Sequence, residues 1–94
     1  MAEKRLEARV FGFVQGVFFR SYVKHWAEQF GLKGYAQNMP DSSVEVIVEG
    51  EEKKLEQMLE KLRLGPPTAA VERVDIKWDI PKKEFQKFEM RFWA

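Results

Sequence analysis

Arg20 and Asn38 are the two side chains whose setting in the sequence points to chemistry. Arg20 closes the run Gly12-Phe13-Val14-Gln15-Gly16-Val17-Phe18-Phe19-Arg20, in which two glycines join a strand-like segment to a helix-like one. At such a junction the peptide N–H groups of Gln15, Gly16, Val17, Phe18, Phe19 and Arg20 have no obligatory ladder or helical partner. They can converge into an anion-binding hollow on a helix N-terminus. A guanidinium in the first helical turn adds a planar fork of donors matched to phosphate or carboxylate oxygens. A cation there opposes the helix dipole unless an anion is present. Asn38 precedes a turn rich in Pro and Asp, and its carboxamide can both accept from and donate to a water without changing protonation state. On pattern alone, Arg20 also reads as a solvated helix residue and Asn38 as a turn former.

The elements that must carry these residues follow from hydrophobic spacing. Leu6, Ala8 and Val10 alternate with Glu7, Arg9 and Phe11, which predicts a strand from about Arg5 to Val14 with Phe11 and Phe13 as packing on its second face. Phe19, Val23, Trp26, Ala27 and Phe30 recur at helical spacing, which predicts a helix from about Phe18 to Phe30 stopped by Gly31. Lys33 to Asn38 and Ser43 to Glu49 read as a hairpin around Met39-Pro40-Asp41-Ser42. Gly50-Glu51-Glu52 is expected to open a second helix with Leu55, Met58, Leu59 and Leu62 as its apolar stripe, ended by Gly65-Pro66-Pro67. A strand carrying Val74, Ile76 and Trp78, a loop containing Pro81 and a last strand with Phe88, Met90 and Phe92 complete the chain. The order βαββαβ plus a C-terminal strand implies an α+β, ferredoxin-like split βαβ sandwich in two layers, with two helices on one face of an antiparallel sheet.

The glycine-containing run resembles the first signature of the acylphosphatases, G-x-V-Q-G-V-x-F-R, and Gly34-Tyr35-Ala36-Gln37-Asn38 with Asp41-Ser42-Ser43-Val44-Glu45-Val46 resembles their second. Order and spacing match over the whole chain. Tyr35-Ala36 stands for the family's Trp-Val, and Ser42 for its usual turn glycine. The resemblance implies phosphate on Arg20 and the loop amides, and a water on Asn38.

Composition narrows the alternatives. Ninety-four residues make one domain, read as residues 1–94. Lys+Arg 16 against Asp+Glu 15 gives a net charge of +1, so no global field favours nucleic acid or an acidic membrane. The octapeptide of RNA-recognition sheets is also absent. With no cysteine there are no disulfides, thiol nucleophiles or thiolate metal sites. His25, the only histidine, has no companions for a metal and reads as an exposed helix residue. No apolar run approaches spanning length, and the expected setting is soluble and cytoplasmic.

A site of amides, one guanidinium and one carboxamide holds no nucleophile and nothing that titrates near neutrality. It can position reactants and stabilise charge. An acyl phosphate suits it, because the leaving carboxylate belongs to an acid of pKa about 4 and departs without a general acid. The expected reaction is hydrolysis of the carboxyl-phosphate bond by in-line water attack, with no cofactor and no metal, by a monomer whose product inorganic phosphate acts as a competitive inhibitor. The alternative is a non-catalytic ferredoxin-like module that binds the same anions.

Overall fold

The computed structural model describes residues 2–92. Strands β1 (Glu3–Phe13), β2 (Lys33–Asn38), β3 (Val44–Glu51), β4 (Ala70–Asp79) and β5 (Phe88–Arg91) form one sheet in the order β4-β1-β3-β2-β5. Helices α1 (Phe19–Gln29) and α2 (Glu52–Leu64) pack on one face. Period-two patterning makes β1 the organising strand. Leu6, Ala8 and Val10 stand opposite Val48, Val46 and Val44 of β3 and opposite Trp78, Ile76 and Val74 of β4. Leu6, Ala8, Val10, Val44, Val46 and Val48 build the floor of a core roofed by Phe19, Val23, Ala27, Leu55, Met58 and Leu62, all of them buried, with Val74 partly buried at its edge. The two helices are themselves pinned together, with the Tyr22 hydroxyl donating to the Lys61 carbonyl at 2.7 Å.

The expected two-layer, ferredoxin-like α+β architecture is present, with particulars the sequence pattern did not carry. β5 runs parallel to β2, pairing Gly34 with Phe88 and Ala36 with Met90, so the sheet is mixed. Gly50 and Glu51 extend β3, and α2 starts at Glu52, where the Glu52 N–H donates to the Ala2 carbonyl at 3.2 Å. The expectation that Phe13 packs on the sheet also changes: its side chain is 63% exposed, whereas Phe11 is half-buried beneath the Arg73 guanidinium, 4.1 Å from the ring centroid.

Because β4 and β5 lie at opposite edges, the Ile80–Lys87 connection has to cross the face of the sheet that carries no helix. It is held there by Glu49, whose carboxylate accepts the Lys82 and Lys83 N–H groups at 2.8 and 3.0 Å. The same carboxylate accepts from Arg5 Nη1 at 2.9 Å, and Phe85 lies against both Arg5 and Tyr35. Burial pushes the Glu49 carboxyl up, but the Lys82 N–H, the Arg5 guanidinium and the Lys83 N–H more than offset this and hold it below its ordinary value. No helix among the described residues is long and apolar enough to cross a membrane.

Candidate functional site

The junction between β1 and α1 is shaped by backbone constraints at each end. Gly12 has φ +133°, and a side chain there would collide with the Ala70 carbonyl oxygen, so this strand position is closed to a Cβ. The pairing of β1 with β4 shifts register at the same point, a bulge that ends the regular ladder and turns the chain toward the helix. Phe18 then takes a left-handed conformation, φ 64° and ψ 23°, as the residue that starts α1. That conformation is costly for a bulky side chain, and here it leaves the ring 77% exposed at the helix entrance.

α1 begins without a side-chain cap and without an acid in its first turn. Its first intrahelical bond runs from the Tyr22 N–H to the Phe18 carbonyl. The N–H groups of Phe19, Arg20 and Ser21 thus make up an uncapped amino end, which attracts an anion. This end borders a hollow of about 240 Å³ lined by Gly16, Phe18, Phe19, Arg20, Asn38 and Met90, with Val14 and Ser21 completing the wall. That is below the roughly 300–1,000 Å³ of sites that enclose drug-sized ligands.

The structure brings Arg20 and Asn38, eighteen positions apart in the chain, to this one hollow. Arg20 Nη1 donates to the Arg91 carbonyl at 2.9 Å, and its Cζ lies 4.6 Å from the centroid of the Phe92 ring. A guanidinium has five N–H donors, so this hydrogen bond and stacking contact fix its plane while leaving donors for a ligand. No Asp or Glu among the described residues forms an ion pair with Arg20. Asn38 Oδ1 is buried and has no hydrogen-bond partner among the described residues. Buried polar atoms are nearly always paired, and an acceptor left over beside a guanidinium is a mark of a binding site.

Asn38 is held by a tight turn. The Met39 N–H donates to the Ser43 carbonyl at 2.9 Å and the Ser42 N–H to the Met39 carbonyl at 3.1 Å. Asp41 accepts from both the hydroxyl and the N–H of Ser43, and these bonds, helped by Arg9, hold its carboxyl below the usual range. Ser42 sits at φ 76°, which explains why glycine suits this turn position and why serine carries strain there. At the other variant pair, Ala36 is fully buried, and the Tyr35 hydroxyl donates to Glu45 at 2.7 Å. Burial and that bond push the Tyr35 phenol up to about 12, so it stays protonated across the working range.

Two of the six loop residues grouped by the sequence do not border the hollow. Gln15 acts through its side chain, whose Nε2 donates to the Met39 and Ser43 carbonyls, both at 2.8 Å, tying the loop to the turn beyond Asn38. Val17 is buried, and its carbonyl accepts the Thr68 hydroxyl at 2.7 Å. Sequence reasoning missed Thr68, Met90 and the Arg91–Phe92 segment that seats Arg20. Their signals are long-range and no local pattern carries them. His25 is exposed, its ring edge-on to Trp26, and takes no part in the hollow. Among the described residues no group of three or more His, Asp or Glu could hold a metal ion.

Comparison with known proteins fits this geometry. The family model described as acylphosphatase matches residues 6–90. An acylphosphatase of Deinococcus radiodurans is 50% identical over 74 residues, covering 79% of this chain and 85% of that protein. The crystal structure of acylphosphatase from Bacillus subtilis superposes with a TM-score of 0.90 at 28% identity, covering 94% of this chain and 98% of that one. The HypF of T. kodakarensis superposes with a TM-score of 0.84 at 33% identity, covering 97% of this chain and 12% of that much longer one.

Proposed function

The chain belongs to the acylphosphatase family and is a hydrolase of acyl phosphates, and from that premise we propose how its hollow performs the reaction. The amides of the loop residues that border the hollow, Gly16, Phe18, Phe19 and Arg20, together with the Arg20 guanidinium, grip the phosphoryl oxygens. Asn38 orients the attacking water through Oδ1, which accepts a hydrogen bond from it. The observation that carries this reading is that a buried Asn38 Oδ1 with no partner among the described residues and a seated arginine share one small hollow at an uncapped helix end.

The chemistry follows from what lines the site. Loose phosphoryl-transfer transition states spread charge over the three peripheral oxygens, where fixed donors stabilise it best. Water attacks phosphorus in line, the P–O bond to the acyl group breaks, and the carboxylate leaves with the bonding electron pair. The water's proton passes to solvent or to the phosphate product. The leaving group is a weak base and requires neither a general acid nor a Lewis acid. Among the described residues no carboxylate, imidazole or thiol lines the hollow, which supports a mechanism by positioning alone. Residues 1–94 act as one catalytic unit, a cytoplasmic monomer in which inorganic phosphate competes for the same donors.

The test is Asn38→Ala with benzoyl phosphate as substrate. The expected result is a kcat reduced about a hundredfold, on the scale of losing one positioned polar group. The inhibition constant of inorganic phosphate should change less than about threefold. Wild-type turnover in this variant contradicts the role given to Asn38.

A further inference from the structure

We propose that Thr68, on the turn between α2 and β4, is a positioning residue for the phosphate loop, aiming the Phe18 N–H into the hollow by holding the Val17 carbonyl away from it. The proposal rests on the reading of that loop as the phosphate site. Its geometry comes from one peptide plane. The Val17–Phe18 bond is trans, as are all peptide bonds of the described chain, so the Val17 carbonyl and the Phe18 N–H point in opposite directions. The Thr68 hydroxyl donates to that carbonyl at 2.7 Å across 51 positions of sequence. Fixing the oxygen on the Thr68 side therefore fixes the hydrogen on the other. Val17 is buried outside the hollow while Phe18 lines it, so the N–H faces the side on which a phosphoryl oxygen would sit.

The plane needs a support because its flanks are soft. Gly16 is exposed with open space around its Cα, and Phe18 is held at φ 64°, a conformation that an unrestrained phenylalanine leaves for lower-energy regions. Gln15 anchors only the upstream end of the loop, through the β2–β3 turn. Thr68 anchors the downstream end from a rigid base. Pro66 and Pro67 fix two consecutive φ angles, the Ala69 N–H closes the turn on the Pro66 carbonyl at 3.0 Å, and Gly65 lies against Val71 and Phe19. The turn is thus braced against the first residue of α1, and its hydroxyl is the contact that reaches the loop. Thr68 is itself solvent-exposed, so replacing its hydroxyl leaves the core intact.

Thr68→Val removes the hydroxyl at nearly constant shape, and Thr68→Ser keeps the hydroxyl and removes the methyl. Three readouts separate positioning from plain stabilisation: the inhibition constant of inorganic phosphate, the split between KM and kcat for benzoyl phosphate, and the amide resonance of Phe18 during a phosphate titration of labelled protein. In Thr68→Val, the phosphate inhibition constant and KM should rise roughly three- to tenfold, the scale of one lost hydrogen bond. The fall in kcat should be smaller, and the phosphate-induced shift of the Phe18 amide should shrink. The melting temperature should move by only a few degrees, and Thr68→Ser should restore all three readouts. Wild-type phosphate affinity and an unchanged Phe18 shift in Thr68→Val overturn the role of Thr68 while leaving the loop as the phosphate site. A Thr68→Ser variant as impaired as Thr68→Val also overturns it, since the methyl would then matter and not the hydroxyl. If the wild-type Phe18 amide does not respond to phosphate at all, the loop reading and this inference fall together.

Discussion

Arg5 and Arg20 sit in the same small domain and do opposite things with the same guanidinium. Arg5 is 6% exposed and is turned inside the protein onto carboxylates, hydrogen-bonding Glu7 at 2.8 Å and Glu49 at 2.9 Å, with Glu84 at 3.6 Å nearby. Its partner Glu49 also accepts the Lys82 and Lys83 N–H groups, three donors in all with Arg5. In that network the buried cation is matched by carboxylates and the carboxylate by a cation and two N–H groups, so it binds the crossing segment to the sheet. Among the described residues Arg20 is answered by one carbonyl and one aromatic face, and it shares its hollow with an acceptor that has no partner among them. The difference between the two arginines is the balance of donors against acceptors around them. Where that balance closes, the residue holds the fold, and where it is left open, the residue faces a substrate.

The comparison can be broken by exchanging the consequences of the two residues. The largest effect is expected at Arg20. Arg20→Ala and Arg20→Lys should each lower kcat/KM for benzoyl phosphate by about a thousandfold or more, because a point charge cannot replace the planar fork, while the melting temperature stays close to wild type. Arg5→Ala should do the reverse. It strands the Glu49 carboxylate in a buried setting and should cost roughly 3 kcal/mol in urea unfolding, with the activity of the folded fraction preserved. An Arg5→Ala protein that is stable but inactive, or an Arg20→Ala protein that is unstable but active, would remove the distinction.

Acid titration sharpens the same contrast. The Glu49 carboxyl is held below its ordinary value of 4.5 in the folded state. Its contribution to stability is therefore complete above the unfolded value and is lost as pH falls through the lower folded one. Urea midpoints should fall below about pH 4.5 in the wild type and fall less steeply in Glu49→Gln. The rate should stay nearly flat from about pH 5 to 7, because among the described residues no carboxylate or imidazole lines the hollow, and His25→Ala should leave that profile unchanged. The smallest effect is expected at Ser42→Gly. It relieves a left-handed serine at φ 76° and should raise stability by about 1 kcal/mol with no change in phosphate inhibition.

What could be read from the sequence was what is written locally. Alternation in β1 and β3, helical spacing in α1 and α2, and the glycines of the first loop each act over a few residues, and they yielded the elements and marked Arg20, whereas Asn38 stood out from an ordinary turn residue through the resemblance to the acylphosphatases. What escaped depends on residues that only the fold makes neighbours. Glu49 reads as an outward-facing residue of a hairpin until the Ile80–Lys87 segment is laid across it, 33 and 34 positions away. Thr68 carries no local mark of its bond to Val17, and the parallel pairing of β5 with β2 depends on where a long connection lands. Phe13 alternates correctly for a packed face, yet the sheet has no layer over it at that end and the ring remains exposed. Gln15 was legible as part of a loop, but its tie to the Met39 and Ser43 carbonyls was not.

The most direct test of the central claim is phosphate release from benzoyl phosphate in the presence of a metal chelator, measured side by side for wild type and Arg20→Ala. Fixed donors acting on a phosphoryl group that leaves a weak base predict full wild-type turnover with chelator present and near-background turnover in the variant. Loss of wild-type activity on chelation, or substantial activity in Arg20→Ala, would contradict it.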